Sequence, residues 1–156
     1  MGETSDLPTE LNIRAMELAD IDAVLTVEES SFVTPWSRTA FVAEIEDNDL
    51  ACYLVAEAEG QVVGYAGMWV ILDEAHVTNV ALLPAFRGRG LGSRLMGALC
   101  MIAKALGAAR MTLEVRPSNN AARRLYSKLG FEARGVRPGY YTDTKEDAVI
   151  MWRDKL

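Results

Sequence analysis

Arg87-Gly88-Arg89-Gly90-Leu91-Gly92 decides how this chain is read. An apolar, strand-like run, Val77-Thr78-Asn79-Val80-Ala81-Leu82-Leu83, leads into it, and a helix-like run from Ser93 to Leu106 leaves it. Glycines let the backbone come close to a ligand and turn its N–H groups inward. The helix start adds partial positive charge, and two arginines in the same loop add full charges. A strand–loop–helix junction of this composition is predicted to hold a phosphorylated ligand. A glycine-rich turn that merely caps the helix is the plainer reading.

Spacing sorts the phosphate loops. A Walker loop needs Lys-Ser/Thr after its last glycine, and Gly92 is followed by Ser93-Arg94. A dinucleotide fingerprint starting at Gly88 and Gly90 needs a third glycine where Ser93 stands, and belongs in a first βαβ unit. What fits is Arg-x-x-Gly-x-Gly, on Arg87, Gly90 and Gly92. This resembles the acetyl-CoA pyrophosphate loop of the GNAT superfamily of N-acetyltransferases.

The chain has 156 residues, one domain's worth, with a loose tail expected at 1–9. It is 50% hydrophobic and 24% charged, as ordinary globular proteins are. No apolar run approaches bilayer length, and Met1–Glu10 is polar and acidic, so neither membrane span nor leader is expected. Cys52 and Cys100 are too few and too scattered for a disulfide framework or a zinc site. A cytoplasmic location, no metal, and a packing role for both thiols are expected.

The net charge of −6 is unevenly spread. Residues 1–80 hold two Lys/Arg against sixteen Asp/Glu, or −14; residues 81–156 hold fourteen against six, or +8. A basic second half suits a ligand with several phosphates. An acidic first half suits a basic acceptor and disfavours nucleic acid, unless the halves intermix in space.

Apolar periodicity gives the element order. Leu11–Met16 alternates as a strand does, and Asp20–Ser31 reads as a helix with Ile21, Val24, Leu25 and Glu28 on successive turns. Pro35-Trp36 breaks the chain before Ser37, an N-cap candidate for a helix through Glu46. Ala51–Glu57 and Gln61–Ile71 read as a hairpin around Glu59-Gly60, and Asp73-Glu74 as a turn. Leu91, Leu95, Leu99 and Ile102 share one helical face, ended by Gly107. Met111–Val115 reads as a strand, and Asn119 or Asn120 caps a last helix closed by Gly130. Phe131–Tyr141 and Asp147–Arg153 read as closing strands. The expected fold is a three-layer α/β sandwich: a mixed, mostly antiparallel seven-stranded sheet with about four helices. The order matches the GNAT order along nearly the whole chain.

Three further segments sharpen the resemblance. They are Phe32-…-Pro35-Trp36-Ser37-…-Phe41-…-Glu44, then Leu113-Glu114-Val115-Arg116-Pro117-Ser118-Asn119, then Gly139-Tyr140-Tyr141 with Glu146-Asp147-Ala148-Val149-Ile150-Met151. With Asp73-Glu74-Ala75 they resemble the RimI-type ribosomal-protein-alanine N-acetyltransferases. That resemblance implies acetyl-CoA as cosubstrate and a basic protein N-terminus, from a ribosomal protein, as partner. The expected protein is a monomer or weak dimer.

The resemblance also implies site residues. Val80, Ala81 and Leu82 would offer backbone groups to the thioester and pantetheine arm. Arg87, Gly88, Arg89, Gly90, Leu91, Gly92 and Ser93 would wrap the pyrophosphate, and Asn119 would meet the pantetheine. Glu114 matches the general base and Tyr126 the general acid. Pro35, Trp36, Tyr140 and Tyr141 would wall the acceptor pocket. His76 stands where other members differ, which leaves a rival base open.

The chemistry of the residues agrees. A protein α-amine has a pKa near 8, so roughly a tenth to a sixth is neutral at pH 7. A lysine amine, near 10.4, is neutral about once in two thousand. A carboxylate acting through water therefore suits an α-amine better than a lysine. Glu114 could instead pair with Arg116 or Arg110, and Tyr126 could simply pack on Leu129. Neither cysteine sits where an acetyl-enzyme is expected, so attack should be direct, in a ternary complex. The competing functions are acetylation of a small amine or a lysine side chain, and non-catalytic acyl-CoA binding. Glu114 and Tyr126 together disfavour the last.

Overall fold

The computed structural model describes residues 10–156, so the tail expected at 1–9 lies outside the described residues. The elements run β1 (Asn12–Ala15), α1 (Ile21–Ser31), α2 (Arg38–Glu46), β2 (Ala51–Ala58), β3 (Gln61–Ile71) and β4 (Glu74–Leu82). There follow α3 (Leu91–Ala105), β5 (Arg110–Val115), α4 (Asn120–Lys128), β6 (Glu132–Arg137) and β7 (Ala148–Arg153). One sheet joins the strands in the order β1-β2-β3-β4-β5-β7-β6. Every neighbouring pair is antiparallel except β4 with β5. α1 and α2 pack on one face around Phe41 and Tyr65, while α3 and α4 pack on the other around Leu95, Leu99 and Tyr126. This is the three-layer sandwich expected.

Local chemistry sets the boundaries. Ser37 Oγ accepts the Ala40 N–H at 3.2 Å to start α2, and Asn119 Oδ1 accepts the Ala122 N–H at 3.1 Å to start α4. On α3, Leu91, Leu95, Met96 and Leu99 are each within 1% of full burial, and Ile102 packs at the rim. Burying those four contributes about 6–12 kcal/mol as an upper bound. In the centre of the sheet, Gly67 makes room for Tyr53, because a Cβ there would stand 2.1 Å from the ring.

Two boundaries differ most from expectation. β4 already begins at Glu74, so the turn is Leu72-Asp73. β6 stops at Arg137 rather than reaching Tyr141. Pro138 has no N–H for a ladder, and Gly139 takes φ +60°, which turns the chain out of the sheet. Tyr140 and Tyr141 therefore sit in a loop.

Two irregularities of β4 prepare the site. Gly67 pairs with Asn79 and Met68 with Val77, which leaves Thr78 as an extra, bulged residue. β4 pairs with β5 only from Glu74 to His76, opposite Arg110 to Thr112. Beyond that point the two strands part, and β4 keeps one unpaired backbone edge.

Candidate active site

The gap left by the parting strands is a cleft of about 500 Å³. Val80, Ala81 and Leu82 form one wall, and Ala122, Leu125 and Tyr126 of α4 form the other. Arg87, Gly88, Gly90, Gly92, Ser93 and Asn119 close its end. Gly90 caps α3 at φ +76°, a left-handed conformation that costs a side-chain-bearing residue about 1–2 kcal/mol. The first residues of α3, whose N–H groups helix geometry leaves without intrahelical partners, include Gly92 and Ser93 at the end of the cleft. Gly92 keeps the mouth open, since a Cβ there would lie 3.2 Å from Leu125 Cδ2 and 3.8 Å from Leu82 Cδ1. These features fit the pyrophosphate and pantetheine arm of coenzyme A.

Most residues predicted for the cofactor line this cleft, but two do not. Arg89 turns away and lays its guanidinium 4.9 Å from the Phe86 ring centre. Leu91 is buried in a small cluster with Val63 and Phe86. Arg87 braces the loop: its Nε donates to the Leu82 carbonyl at 3.0 Å and its Nη2 to Ser31 Oγ at 3.1 Å.

A second cleft, of about 410 Å³, adjoins the first, and Phe32 lines both. Pro35, Trp36, Tyr140 and Tyr141 meet here, although more than a hundred residues separate the two pairs in sequence. The Trp36 N–H donates to Glu28 Oε2 at 2.8 Å, and its ring packs 5.4 Å from that of Phe41. The tyrosines stand edge to face with ring centres 5.0 Å apart. Arg116 pins their loop: it lies 4.0 Å from the Tyr141 ring centre and binds both oxygens of Asp143, at 3.0 and 2.8 Å. Burial pushes Tyr141 up to about 12, with the charges of Tyr140 and Glu114 also raising it and Arg116 opposing. Burial likewise raises Tyr140, and Glu114 adds to it.

Glu114 projects from the face of β5 opposite Leu113 and Val115, with its side chain 8% exposed. Its partners differ from the arginines expected. His76 Nε2 is 2.6 Å from Glu114 Oε2, and Arg137 Nε is 3.5 Å from Oε1. Arg116 is taken by Asp143 and Glu146, and Arg110 by Glu74 and Asp73. The rival bases Glu114 and His76 are thus one unit, in a separate cleft with Trp69, Thr112 and Trp152 that shares no lining residue with the other two. His76 is the more accessible member, its side chain 34% exposed.

Tyr126 lines the first cleft and packs its ring 5.9 Å from Phe131. Burial pushes its phenol up to about 12. Burial raises both thiols too, although Arg153 partly opposes this at Cys100, which makes them poor nucleophiles at neutral pH.

Sequence reasoning missed the polar groups beneath the acceptor cleft. Glu28 is 1% exposed and accepts the Tyr65 hydroxyl. Glu44 accepts from Tyr53 at 2.8 Å and from Trp69 at 2.6 Å. The available signal was Glu28 itself, a carboxylate on the apolar face of α1 beside Ile21 and Val24.

Comparison with known proteins places this geometry. Residues 21–131 match the family model described as the acetyltransferase (GNAT) family. The chain is 44% identical over 146 residues to a Bacillus subtilis protein with a provisional assignment as ribosomal protein bS18-alanine N-acetyltransferase, covering 94% of this chain and 97% of that one. It is 36% identical over 141 residues to the Escherichia coli K12 ribosomal protein bS18-alanine N-acetyltransferase, covering 89% and 94%. The crystal structure of the ribosomal-protein-S18-alanine N-acetyltransferase from Escherichia coli superposes with a TM-score of 0.84 at 33% identity, covering 94% of this chain and 96% of that one. The chain belongs to the acetyltransferase (GNAT) family.

Proposed function

We propose that this chain uses acetyl-CoA to acetylate the N-terminal amine of a ribosomal protein, at an alanine-type terminus, by direct attack in a ternary complex. The meeting of the two clefts at Phe32 carries the reading. One cleft suits a long phosphorylated arm laid along a free strand edge. The other is an aromatic-walled pocket at the end of that arm. The named substrates of the relatives supply the acceptor class.

The geometry supports these roles. Loop 87–93 and the start of α3 hold the pyrophosphate. Val80, Ala81 and Leu82 orient the pantetheine and the thioester carbonyl through the unpaired edge of β4, and Asn119 sits beside them. Trp36, Pro35, Tyr140 and Tyr141 enclose the first residue of the acceptor. Glu114 takes the proton of the α-ammonium through water, and His76 passes it on to solvent.

The amine nitrogen attacks the thioester carbon, a C–N bond forms, the nitrogen's surplus proton leaves by the same water to Glu114 once its first has passed to solvent, and the C–S bond breaks. Tyr126 stays protonated at neutral pH, because its phenol is pushed up to about 12. It donates to the leaving sulfur, whose own proton affinity rises in the same apolar surroundings. No covalent acetyl-enzyme is required, and both thiols, raised by burial, are unsuited to form one.

Release of coenzyme A thiol tests the reading with three acceptors: a peptide beginning Ala-Arg, spermidine, and free lysine. The peptide should support release at least about tenfold faster than the others, given the neutral amine fractions at pH 7. Faster release with lysine or spermidine would move the function to that amine class. Release with none would leave a binding protein.

A further inference from the structure

Among the described residues one buried side-chain atom has no hydrogen-bond partner, Asn79 Oδ1. Asn79 is 8% exposed. The bulge at Thr78 turns both Thr78 and Asn79 toward α1. Thr78 Oγ1 lies 3.0 Å from the Tyr53 hydroxyl, and the Asn79 amide lies beside the hydroxyl of Tyr65. Both residues line the acceptor cleft with Trp36 and Tyr140. Asn79 also directly precedes Val80, the first β4 residue to line the cofactor cleft.

Neighbouring groups fix which end of the amide is free. Tyr65 donates its hydroxyl proton to Glu28, so its oxygen can only accept from Asn79. The amide nitrogen therefore faces Tyr65, and the amide oxygen is left buried and without a partner in the cleft wall that Asn79 helps to form. Behind Tyr65 the Glu28 carboxylate is 1% exposed, and its partners are the neutral donors Tyr65 and Trp36 N–H. Burial raises the Glu28 carboxyl, and the Trp36 N–H and Tyr65 hydroxyl oppose that shift by donating to its ionised form; in that form it projects negative potential into the space before it. An orphaned acceptor in front of an uncompensated carboxylate suits a guest that brings both N–H donors and positive charge.

We propose that Asn79 Oδ1 is the docking atom for the acceptor's amino group, taking one of its N–H hydrogens while Glu28 favours the charge from behind Tyr65. The inference rests on the acceptor reading of this cleft and names the atom that reads the amine. A carboxamide oxygen suits this task because it does not compete for the proton. The nitrogen keeps the same contact as ammonium, as free amine, and during attack. A terminus already acylated has no charge and only one N–H, and is turned away.

The test uses the protein loaded with coenzyme A. Calorimetry compares a hexapeptide beginning Ala-Arg with its Nα-formyl twin. The native protein should bind the free amine at least about tenfold tighter, the scale of a hydrogen bond to a charged group. Asn79→Leu should reduce that preference to within about twofold while leaving coenzyme A affinity unchanged. Asn79→Ala should do the same without adding bulk beside Tyr65. If the preference survives in both variants, Asn79 is not the docking atom. A parallel loss of coenzyme A affinity would assign Asn79 to the cofactor or the fold, and also overturns the proposal. If the native protein acetylates the peptide yet shows no preference in binding, the docking atom falls and the acetyltransferase reading stands. If it binds coenzyme A but neither binds nor acetylates any free-amine peptide, the acceptor reading falls, and this inference with it.

Discussion

Replacing Glu114 by glutamine keeps the size of the side chain and an oxygen for Arg137, but removes the proton acceptor. The carboxylate is 8% exposed and lies 2.6 Å from His76, so little solvent is on hand to substitute for it. The expected loss can be worked from the amine. An α-amine of pKa near 8 is about one tenth neutral at pH 7 and about nine tenths neutral at pH 9. The variant can use only that neutral fraction, so its kcat/KM should rise about tenfold across the interval. The native enzyme takes the ammonium's proton itself and should rise less than about threefold.

A second factor of about ten reflects the proton that must still leave during attack, which makes the deficit about a hundredfold at pH 7 and about tenfold at pH 9. Initial-rate release of coenzyme A thiol, at saturating acetyl-CoA and with limiting Ala-Arg peptide, measures both numbers. His76→Ala keeps the base and should lose less than about tenfold at either pH. A deficit under about threefold at pH 7, or one that does not change with pH, would refute Glu114 as the base.

Other perturbations read other parts of the molecule. Tyr126→Phe should lower kcat about a hundredfold with the acetyl-CoA KM unchanged, as steady-state kinetics at saturating peptide will report. Gly90→Ala should lower Tm by about 2–8 °C, because φ +76° costs an alanine about 1–2 kcal/mol, and should weaken coenzyme A binding at least about tenfold by turning the loop amides aside. Gly97→Ala, mid-helix on α3 with open space at its Cβ, should be neutral or slightly stabilising in the same thermal scan. Asp20, 8% exposed, is held below the usual carboxylate range by the side chain of Arg14, which binds both its oxygens at 2.7 and 2.8 Å. A depressed folded pKa stabilises above the unfolded value near 4, and that stability is lost as pH falls through the folded value. Asp20→Asn should therefore cost about 1–3 kcal/mol in denaturant melts at pH 7, and the difference should fade below about pH 4.

What could be read in the sequence was written in local signals. The glycine loop, the caps at Ser37 and Asn119, and the spacing of Leu91, Leu95 and Leu99 each depend on residues within a few positions of one another. The roles of Trp36 and Tyr140 came through family resemblance, and their loops do converge on one cleft. The end of β6 was misjudged because all six of its residues are exposed, so no alternation marked where pairing stops. The pairing of Glu114 with His76 depends on the register of two parallel strands joined through α3, which no local pattern encodes. The Thr78 bulge is likewise set by the partner strand, and it alone brings Asn79 to the acceptor face. Glu28 was visible as a misfit on an apolar helix face, but its partners come from β3 and the loop before α2.

The central claim is that the two clefts bring an acetyl thioester to a chain-terminal amine. One incubation tests it directly: acetyl-CoA, the native protein, and a peptide with an N-terminal alanine and an internal lysine, followed by tandem mass spectrometry of the product. A single acetyl group on the alanine nitrogen is expected. An acetyl group on the lysine, or an unmodified peptide in the presence of protein that binds coenzyme A, would contradict the account.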